Sequence, residues 1–209
     1  MDFIKQIKNK ITLILYSLMR KIRAPSVPKN ADGKVLIHLG CGMGNDPRWI
    51  NIDLLYLPHI HYIQDITKLN NFEDNTADLI YASHAFEHIS HRDLHNVLSE
   101  WRRVLKPGGV LRLSVPDFNC MINIYRSEGN NIRTIEQPLM GTQDYKFNFH
   151  YSVFNNGYLT DLLKTAGFNE VREWNPKSAP YHSFKDWSSR HCKIDGREYP
   201  ISLNLEGIK

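Results

Sequence analysis

The amino-acid sequence predicts an α/β domain with a mostly parallel sheet that is covered by helices on both faces. Short apolar segments alternate along the chain with segments whose apolar residues recur every three or four positions, as strands and helices do in such sheets. A glycine-rich loop directly follows the first apolar segment. Open α/β sheets bind ligands at the carboxyl ends of their strands, which is where such a loop lies. A chain of 209 residues is long enough for one such domain and short for two.

The predicted strands are short apolar runs, five in the first part of the chain and two near its end. The fifth follows the turn Lys106–Gly109, whose Pro and Gly residues are typical of turns. In chain order the predicted strands are Val35–Leu39, Trp49–Leu54, Ile60–Gln64, Ala77–Ala82, Val110–Val115, Val171–Trp174 and Ile201–Leu205.

Two helices are predicted within this domain. Ser90 is the expected N-cap of the first, with Asp93 in the capping-box position three residues later. The second helix covers Asn156–Thr165 and is expected to end at Gly167. The first helix has an apolar stripe that we expect to be buried, formed by Leu94, Val97, Leu98, Trp101 and Val104.

Residues 1–30 differ from the main domain, 31–209, in charge and in pattern. They carry seven basic residues and one acid, whereas the rest of the chain carries 19 basic and 21 acidic residues. Residues 3–23 predict an amphipathic helix, and Pro25–Gly33 reads as a linker. The apolar face of that helix comprises Ile4, Ile7, Ile11, Ile14, Leu15, Leu18 and Ile22.

This N-terminal helix has two interpretations. In the first, the helix lies in a membrane interface, since its apolar face flanked by Lys and Arg is typical of such helices. In the second, which we favour, its apolar face packs within the protein or in a dimer. The apolar run Ile11–Met19 is far shorter than the ~20 residues of a membrane span, and no small-residue cleavage site follows it. We therefore expect a retained helix and a cytoplasmic protein, with peripheral membrane contact as the alternative.

Composition narrows the classes of partner and compartment. The main domain has no excess of basic residues, so a nucleic-acid substrate is not expected. The cysteines Cys41, Cys120 and Cys192 are odd in number and form no C-x-x-C pair. Free thiols in a reducing compartment fit this pattern better than disulfides or a zinc site.

The sharpest motif is the loop Leu39–Gly44, which reads LGCGMG. Glycines lack a Cβ and tolerate positive φ, so a ligand can touch the backbone there, although such glycines also serve plain turns. Acids follow the next two predicted strands, at Asp53 and at Asp65 before Ile66. Carboxylates at consecutive strand ends can hold ribose hydroxyls and an adenine amino group, which favours an adenosine site.

The stretch Lys34–Phe118 resembles class I methyltransferases that depend on S-adenosylmethionine (SAM), of the branch called methyltransferase type 11. The features that match are the glycine loop, Asp53, Phe86-Glu87-His88 and the segment Arg103–Gly109. The resemblance implies a Rossmann-like fold with SAM as cofactor. It also implies that Gly40, Cys41 and Gly42 lie along the methionine part of SAM. In the same way Asp53 would hold the ribose, Asp65 and Ile66 would flank the adenine, and Ser83 or His84 would close over the methionine end.

The later segments, Gly141–Gly167 and 201–204, resemble a subfamily encoded with bacterial surface-polysaccharide genes. This implies O-methylation of a sugar, a nucleotide-sugar or a related glycan precursor. An alcohol acceptor benefits from a base with a pKa near the working pH, which suits histidine. We therefore take His84 and His150 as the catalytic candidates. The alternatives are a methyltransferase of another small metabolite and a non-catalytic protein that keeps the SAM fold for binding.

Two further readings concern nearby residues. His84, Glu87, His88 and His150 could bind a divalent metal, as related motifs do in some class I methyltransferases, and a histidine at the first position favours zinc over magnesium. The alternative, which we favour from sequence, is a structural Glu87–His88 pair with no metal. Asp117 is an acceptor-site candidate, with a simple turn role as the alternative. His91 and His95 are expected to be ordinary surface residues.

Overall fold

A computed structural model describes residues 12, 14–194 and 196–209. Its centre is a seven-stranded sheet in the order β3-β2-β1-β4-β5-β9-β6, in which the first five strands in that order are parallel. β9 is antiparallel to both β5 and β6. The bounds of these strands are Leu36–Leu39 (β1), Trp49–Asp53 (β2), Tyr62–Ile63 (β3), Ala77–Ser83 (β4), Leu105–Pro116 (β5), Glu170–Glu173 (β6) and Ser202–Ile208 (β9).

The remaining elements are helices and one small hairpin. The helices are 14–22 (α1), Leu94–Val104 (α2), Phe118–Ser127 (α3), Glu136–Met140 (α4) and Asn156–Thr165 (α5). The hairpin pairs His191–Ile194 (β7) with Arg197–Pro200 (β8). Short 3-10 turns lie at Phe86–His88, Ile132–Thr134 and Trp187–Ser189. The predicted fold class, a mostly parallel sheet with helices, is confirmed.

The two predicted helices are present, and the caps differ in detail. The apolar stripe of α2 is buried as expected. The predicted capping box is wrong, because α2 begins at Leu94 after a turn in which the Ser90 carbonyl accepts from the Asp93 amide at 2.9 Å. α5 has the predicted bounds, Asn155 caps its first turn, and Gly167 follows it with a φ of +91°.

The predicted turn Lys106–Gly109 lies inside the long strand β5. Leu105 pairs with Ala77 of β4, and the register then shifts before Val110 pairs with Leu79. The Gly108 amide donates to the Lys209 carbonyl, so the last residue of the chain holds this segment against the sheet. The Pro-Gly-Gly sequence therefore makes an irregularity within a strand, because backbone partners are present on both sides.

α1 contacts the main domain through its polar residues. The Arg20 guanidinium donates to the carbonyls of Ile60 and His61 at 2.7 and 2.9 Å, and Tyr16 packs against the cluster that contains Ile60. Its large apolar residues Ile14, Leu15, Leu18, Met19 and Ile22 are exposed, Ile22 by 86%. The described part of the predicted apolar face is therefore not packed on the domain; Ile4, Ile7 and Ile11 lie outside the described residues.

Candidate functional site

One large cavity, of about 1220 Å³, opens at the carboxyl ends of β1, β2 and β4. Parallel strands present their carboxyl ends at the same edge, which is where open α/β sheets bind ligands. All the predicted cofactor-binding and catalytic residues lie on its wall: Gly40, Cys41, Gly42, Asp53, Asp65, Ile66, Ser83, His84 and His150. The geometry thus gathers the predicted residues in one place, and their individual roles remain predictions.

The glycine loop brings the backbone to the wall of this cavity. Gly40 and Gly42 have φ values of +61° and +52°, a region that side chains rarely adopt. A Cβ on Gly40 would lie 2.7 Å from the Cβ of Ala85, so this position has no room for a side chain. The Gly40 amide donates to the Ile52 carbonyl at 2.9 Å, which fixes the loop to the end of β2.

Asp53 connects the glycine loop to β2. Its Oδ2 accepts from the Gly42 amide at 2.7 Å, and its Oδ1 accepts from the Leu55 amide at 3.0 Å. Each carboxylate oxygen can accept a further hydrogen bond, so the carboxylate can order the loop and still accept from a ligand hydroxyl. The His59 ring Nε2 lies 3.0 Å from the Gly42 carbonyl, a second support for the same loop.

The adenine candidates occupy the next strand end. Asp65 accepts from the Thr67 amide through Oδ1 at 2.8 Å, which holds the turn after β3. The Ile66 side chain packs partly against the core, and its carbonyl accepts from the Trp101 indole at 2.7 Å. Cys41, in the glycine loop, is buried, and burial raises the pKa of its thiol. The thiol therefore stays protonated and is unsuited to act as a nucleophile.

Four titratable side chains, His84, Glu87, His88 and His150, form a group that we call the His–Glu cluster. The 3-10 turn after β4 supplies Glu87 and His88, and the segment after α4 supplies His150. The Glu87 Oε1 lies 3.4 Å from the His84 Nδ1 and 3.9 Å from the His150 Nε2. Glu87 is 1% exposed, and neither carboxylate oxygen has a hydrogen-bond partner among the described residues.

Burial dominates the electrostatics of this cluster. It lowers the pKa of His84 to about 3 and that of His150 to about 4, and it raises the pKa of Glu87 to about 8. Each shift favours the neutral form, because charges lose hydration energy away from water. Both histidines are therefore neutral imidazoles near pH 7 with a lone pair that can accept a proton or bind a metal. The expected pKa near the working pH is not found, because burial makes both weaker bases than an exposed histidine.

Hydrogen bonds determine which nitrogen of each imidazole keeps its lone pair. The Nδ1 atoms of His88 and His150 lie 3.0 Å from the carbonyls of Phe149 and Pro138. A carbonyl only accepts, so both Nδ1 atoms carry the hydrogen and both Nε2 atoms keep a lone pair. For His84 the assignment is reversed, because its Nε2 donates to the Ser202 hydroxyl, whose own hydrogen goes to a backbone carbonyl.

Asp117 lies outside the cavity wall. It is the N-cap of α3, where its side chain accepts from the Asn119 amide at 2.9 Å. Its other oxygen lies 3.3 Å from the Cys120 thiol. The structure therefore gives Asp117 a helix-capping role, and its acceptor-site interpretation stays a prediction.

Aromatic and basic residues that the sequence did not single out also line the cavity. The exposed aromatic ones are Tyr145, Phe147, Tyr151 and Trp187. The basic ones are Lys146, Lys185 and Arg190, and the Arg190 guanidinium lies 4.7 Å from the Trp187 ring centre. They come from two segments, around 145–151 and 185–190, with no local motif that marks them as site residues.

Comparison with known proteins agrees with this geometry. Residues 56–113 match the family described as Methyltransferase domain. No curated protein sequence matches the chain significantly. A SAM-dependent methyltransferase from Archaeoglobus fulgidus is 15% identical, with 94% of this chain and 93% of that chain covered and a TM-score of 0.55. A Methanosarcina mazei SAM-dependent methyltransferase is also 15% identical, with 87% and 94% covered and a TM-score of 0.55.

A third similar structure contains ligands. The 1,6-didemethyltoxoflavin-N1-methyltransferase of Burkholderia thailandensis, solved with bound 1,6-didemethyltoxoflavin and S-adenosylhomocysteine, is 15% identical, with 100% of this chain and 85% of that chain covered and a TM-score of 0.51. At these identities the solved structures show the fold. They confirm the predicted fold, which is that of SAM-dependent methyltransferases, and residues 56–113 within it match the methyltransferase family model.

Proposed function

We propose that this chain is a SAM-dependent methyltransferase that methylates a hydroxyl oxygen of a sugar, a nucleotide-sugar or a related glycan precursor in bacterial surface-polysaccharide biosynthesis. The observation that carries the proposal is the common cavity, which joins the glycine loop and Asp53 at one part to the His–Glu cluster at another. Methyl transfer to an alcohol needs the cofactor and the acceptor held in line and benefits from a nearby base, and the cavity offers a candidate cofactor site and neutral imidazoles on one wall.

SAM is proposed to lie along the strand ends from β1 to β4. The loop at Gly40, Cys41 and Gly42 faces its methionine part, and Asp53 accepts from its ribose hydroxyls. Asp65 and Ile66 flank the adenine, one as a hydrogen-bond acceptor and one as an apolar cover. Ser83 at the end of β4 or His84 directly after it borders the end where the methyl group is presented.

The character of the remaining wall favours a sugar that carries phosphate. Exposed aromatic rings such as Tyr145 and Trp187 offer apolar faces with polar edges, which suit the mixed surface of a sugar ring. Lys146, Lys185 and Arg190 offer positive charge, and Arg in particular suits phosphate oxygens. An uncharged metabolite would make no use of these three cations.

The proposed proton acceptor is one of two histidines, and the hydrogen bonds distinguish them. His150 keeps its Nε2 lone pair and donates through Nδ1 to a backbone carbonyl. His84 donates through Nε2 to Ser202, and its Nδ1 faces the Glu87 carboxylate. The arrangement therefore favours His150 as the group that acts on the acceptor hydroxyl, with His84 closing the methyl end.

Two measurements test the function as a whole. Calorimetry with SAM and with S-adenosylhomocysteine separates an enzyme from a non-catalytic domain, because a domain kept for protein binding has no need of either ligand. Incubation with methyl-labelled SAM and a panel of sugars, nucleotide-sugars and other metabolites then identifies the acceptor. Absence of binding of both ligands would refute the proposal; label transfer only to acceptors outside the sugar panel would refute the sugar assignment.

The ribose assignment predicts a defined loss of affinity. Asp53→Ala is expected to weaken SAM binding by about 1–3 kcal/mol, since it removes an acceptor for the ribose and also the partner of the Gly42 amide. Calorimetry measures the change, with Asp161→Ala on the exposed face of α5 as the matched control. A folded Asp53→Ala protein with wild-type affinity would show that Asp53 does not hold the cofactor.

We also propose that α1 attaches the enzyme to an anionic membrane surface. Five large apolar side chains of α1 are exposed, and Lys21 and Arg23 lie among them, which is the composition of interfacial helices. In the part of the chain that the structure describes, no helix is long and apolar enough to span a membrane. Contact through residues 3–23 with a second copy of the chain is the competing interpretation.

Liposome flotation tests this proposal. The full chain is expected to float with vesicles that contain anionic lipid and to stay behind with neutral vesicles. Removal of residues 1–23 is expected to abolish flotation while calorimetry still detects SAM. A full chain that does not float, or one that sediments as a dimer only when residues 1–23 are present, would replace the membrane proposal with dimerisation.

A further inference from the structure

We propose that Glu87, His88 and His150 form a binding site for a divalent metal ion of the zinc type, with one coordination position open to the cavity. One ligand atom from each of the three lies within 4.8 Å of the others. The residues come from two separate segments, the turn after β4 and the segment after α4, and the fold brings them together. This proposal differs from the interpretation that we favoured from the sequence, in which Glu87 and His88 form a structural pair without a metal.

The first reason is the state of Glu87. A buried carboxylate is stable only when it is paired, hydrogen-bonded or protonated, because its ionised form loses several kcal/mol of hydration. Both of its oxygens lack a hydrogen-bond donor among the described residues, although its side chain is 1% exposed. The surrounding groups that approach it are imidazole lone pairs, which are acceptors and cannot satisfy the ionised carboxylate. A cation satisfies the carboxylate and the lone pairs at once.

The second reason is the orientation of the imidazoles. Histidines that bind metals commonly donate their other ring nitrogen to a carbonyl, which fixes the ring and leaves the ligand lone pair free. His88 and His150 both do this, toward the carbonyls of Phe149 and Pro138. Two adjacent rings, 4.9 Å apart at their centres, thus share the same tautomer without sharing a hydrogen bond in the described structure.

One of the three distances between ligand atoms is close to that of a tetrahedral site, and all three are within 4.8 Å. Bonds of about 2.0–2.1 Å place neighbouring ligand atoms of tetrahedral zinc about 3.4 Å apart. The His150 Nε2 is 3.9 Å from the Glu87 Oε1, so a closure of about half an ångström completes this edge. The His84 Nδ1 is 3.4 Å from the same oxygen and is not part of the three-residue group, so it borders the site.

The ligand types determine the metal. Two imidazoles and one carboxylate favour zinc or a similar transition metal, whereas magnesium and calcium prefer oxygen ligands. Three protein ligands leave a fourth position for water or substrate, as in catalytic zinc sites. Its use in the reaction rests on the proposed function. An acceptor hydroxyl bound there would lose its proton to water more easily, its oxygen would form a bond to the methyl carbon, and the bond from carbon to sulfur would break.

The test uses full-length protein stripped with a chelator and then titrated with Zn²⁺ or Co²⁺. We expect about one ion per chain by mass spectrometry of bound metal, an absorption band of bound Co²⁺, and a higher midpoint of thermal unfolding with Zn²⁺. Glu87→Gln keeps the side-chain volume and removes the charge, so the metal-free variant is expected to fold. It should lose metal affinity by more than 100-fold, since second-shell changes alone cost roughly 10–100-fold.

Two controls make the result decisive. His91→Ala removes an exposed histidine near the site and is expected to keep wild-type metal binding. If Glu87→Gln does not fold, His150→Gln takes its place. Equal affinity of the wild type and the cluster variant, or no binding to the wild type, would overturn the inference. SAM calorimetry on the stripped protein separates the two proposals: SAM bound without metal leaves the function standing, and metal bound without SAM leaves the metal site standing.

Discussion

Replacement of His150 by alanine is expected to lower kcat by about 10²–10⁴ while SAM affinity stays largely unchanged. Its Nε2 lone pair is free of hydrogen bonds to the described residues, whereas Nδ1 is engaged by the Pro138 carbonyl. The ring lies on the cavity wall, apart from the glycine loop and Asp53 that are assigned to the cofactor. The loss should therefore appear in turnover and leave cofactor binding intact. Steady-state kinetics and SAM calorimetry on the same preparation measure the two quantities.

The comparison with His84→Ala shows which histidine acts. His84 has both ring nitrogens committed, to Ser202 and toward Glu87, so its replacement is expected to lower kcat less than that of His150. His95→Ala, at an exposed position of α2, provides the control for removal of an imidazole. Normal turnover in both the His84 and the His150 variants would mean that positioning alone drives the reaction and that neither residue is catalytic.

The role of His150 as base and its role as metal ligand predict the same loss in the alanine variant. They differ in metal content, because a base leaves the bound ion in place when it is removed and a ligand does not. If chelation reduces the wild type to the level of His150→Ala and added Zn²⁺ restores only the wild type, His150 acts through the metal. If chelation changes nothing, the proton goes to the imidazole itself.

The cofactor half of the site was predictable because its residues are tied to local patterns. A glycine loop after a strand requires positive φ at Gly40 and Gly42, and acids directly after the next strands follow from strand order alone. The bond between Asp53 and the Gly42 amide needed the structure, since it joins residues eleven positions apart through the pairing of β1 with β2. His59 joins the same loop with no sequence signal.

The acceptor half was predictable only in part, because long-range packing assembles it. His150 stands next to Glu87 through backbone bonds from Tyr151 and Ser152 to the Glu87 carbonyl. The tautomers depend on the carbonyls of Phe149 and Pro138, which no periodicity indicates. The hairpin β7–β8 and helix α4 also escaped prediction, since they are short. Helix α3 escaped it as well, although its buried residues Met121 and Ile124 follow a helical spacing.

The sheet contains a buried ion pair, and removal of one of its partners should have the largest effect on stability. Arg112 of β5 and Glu206 of β9 are register partners, and both side chains are nearly inaccessible to solvent. The Arg112 Nε and the Glu206 Oε1 are 2.7 Å apart, and a second guanidinium nitrogen donates to the Pro180 carbonyl at 2.8 Å. Arg112→Met is expected to reduce the free energy of unfolding by about 3–5 kcal/mol, since it leaves a buried carboxylate with a weaker partner.

Denaturant unfolding of a double-mutant cycle checks this expectation. Glu206→Met alone should cost a similar amount, whereas Arg112→Met with Glu206→Met should recover most of the loss, because two apolar side chains of similar volume need no hydration. Arg126→Met, at an exposed position of α3, is the matched control and should change stability by less than about 0.5 kcal/mol. Arg172 Nε lies 3.2 Å from the Glu206 Oε2, and if this half-exposed guanidinium can serve as the sole partner, Arg112→Met will cost no more than the control. That result would mean that Arg172 of β6, and not Arg112 of β5, is the main partner of the Glu206 carboxylate.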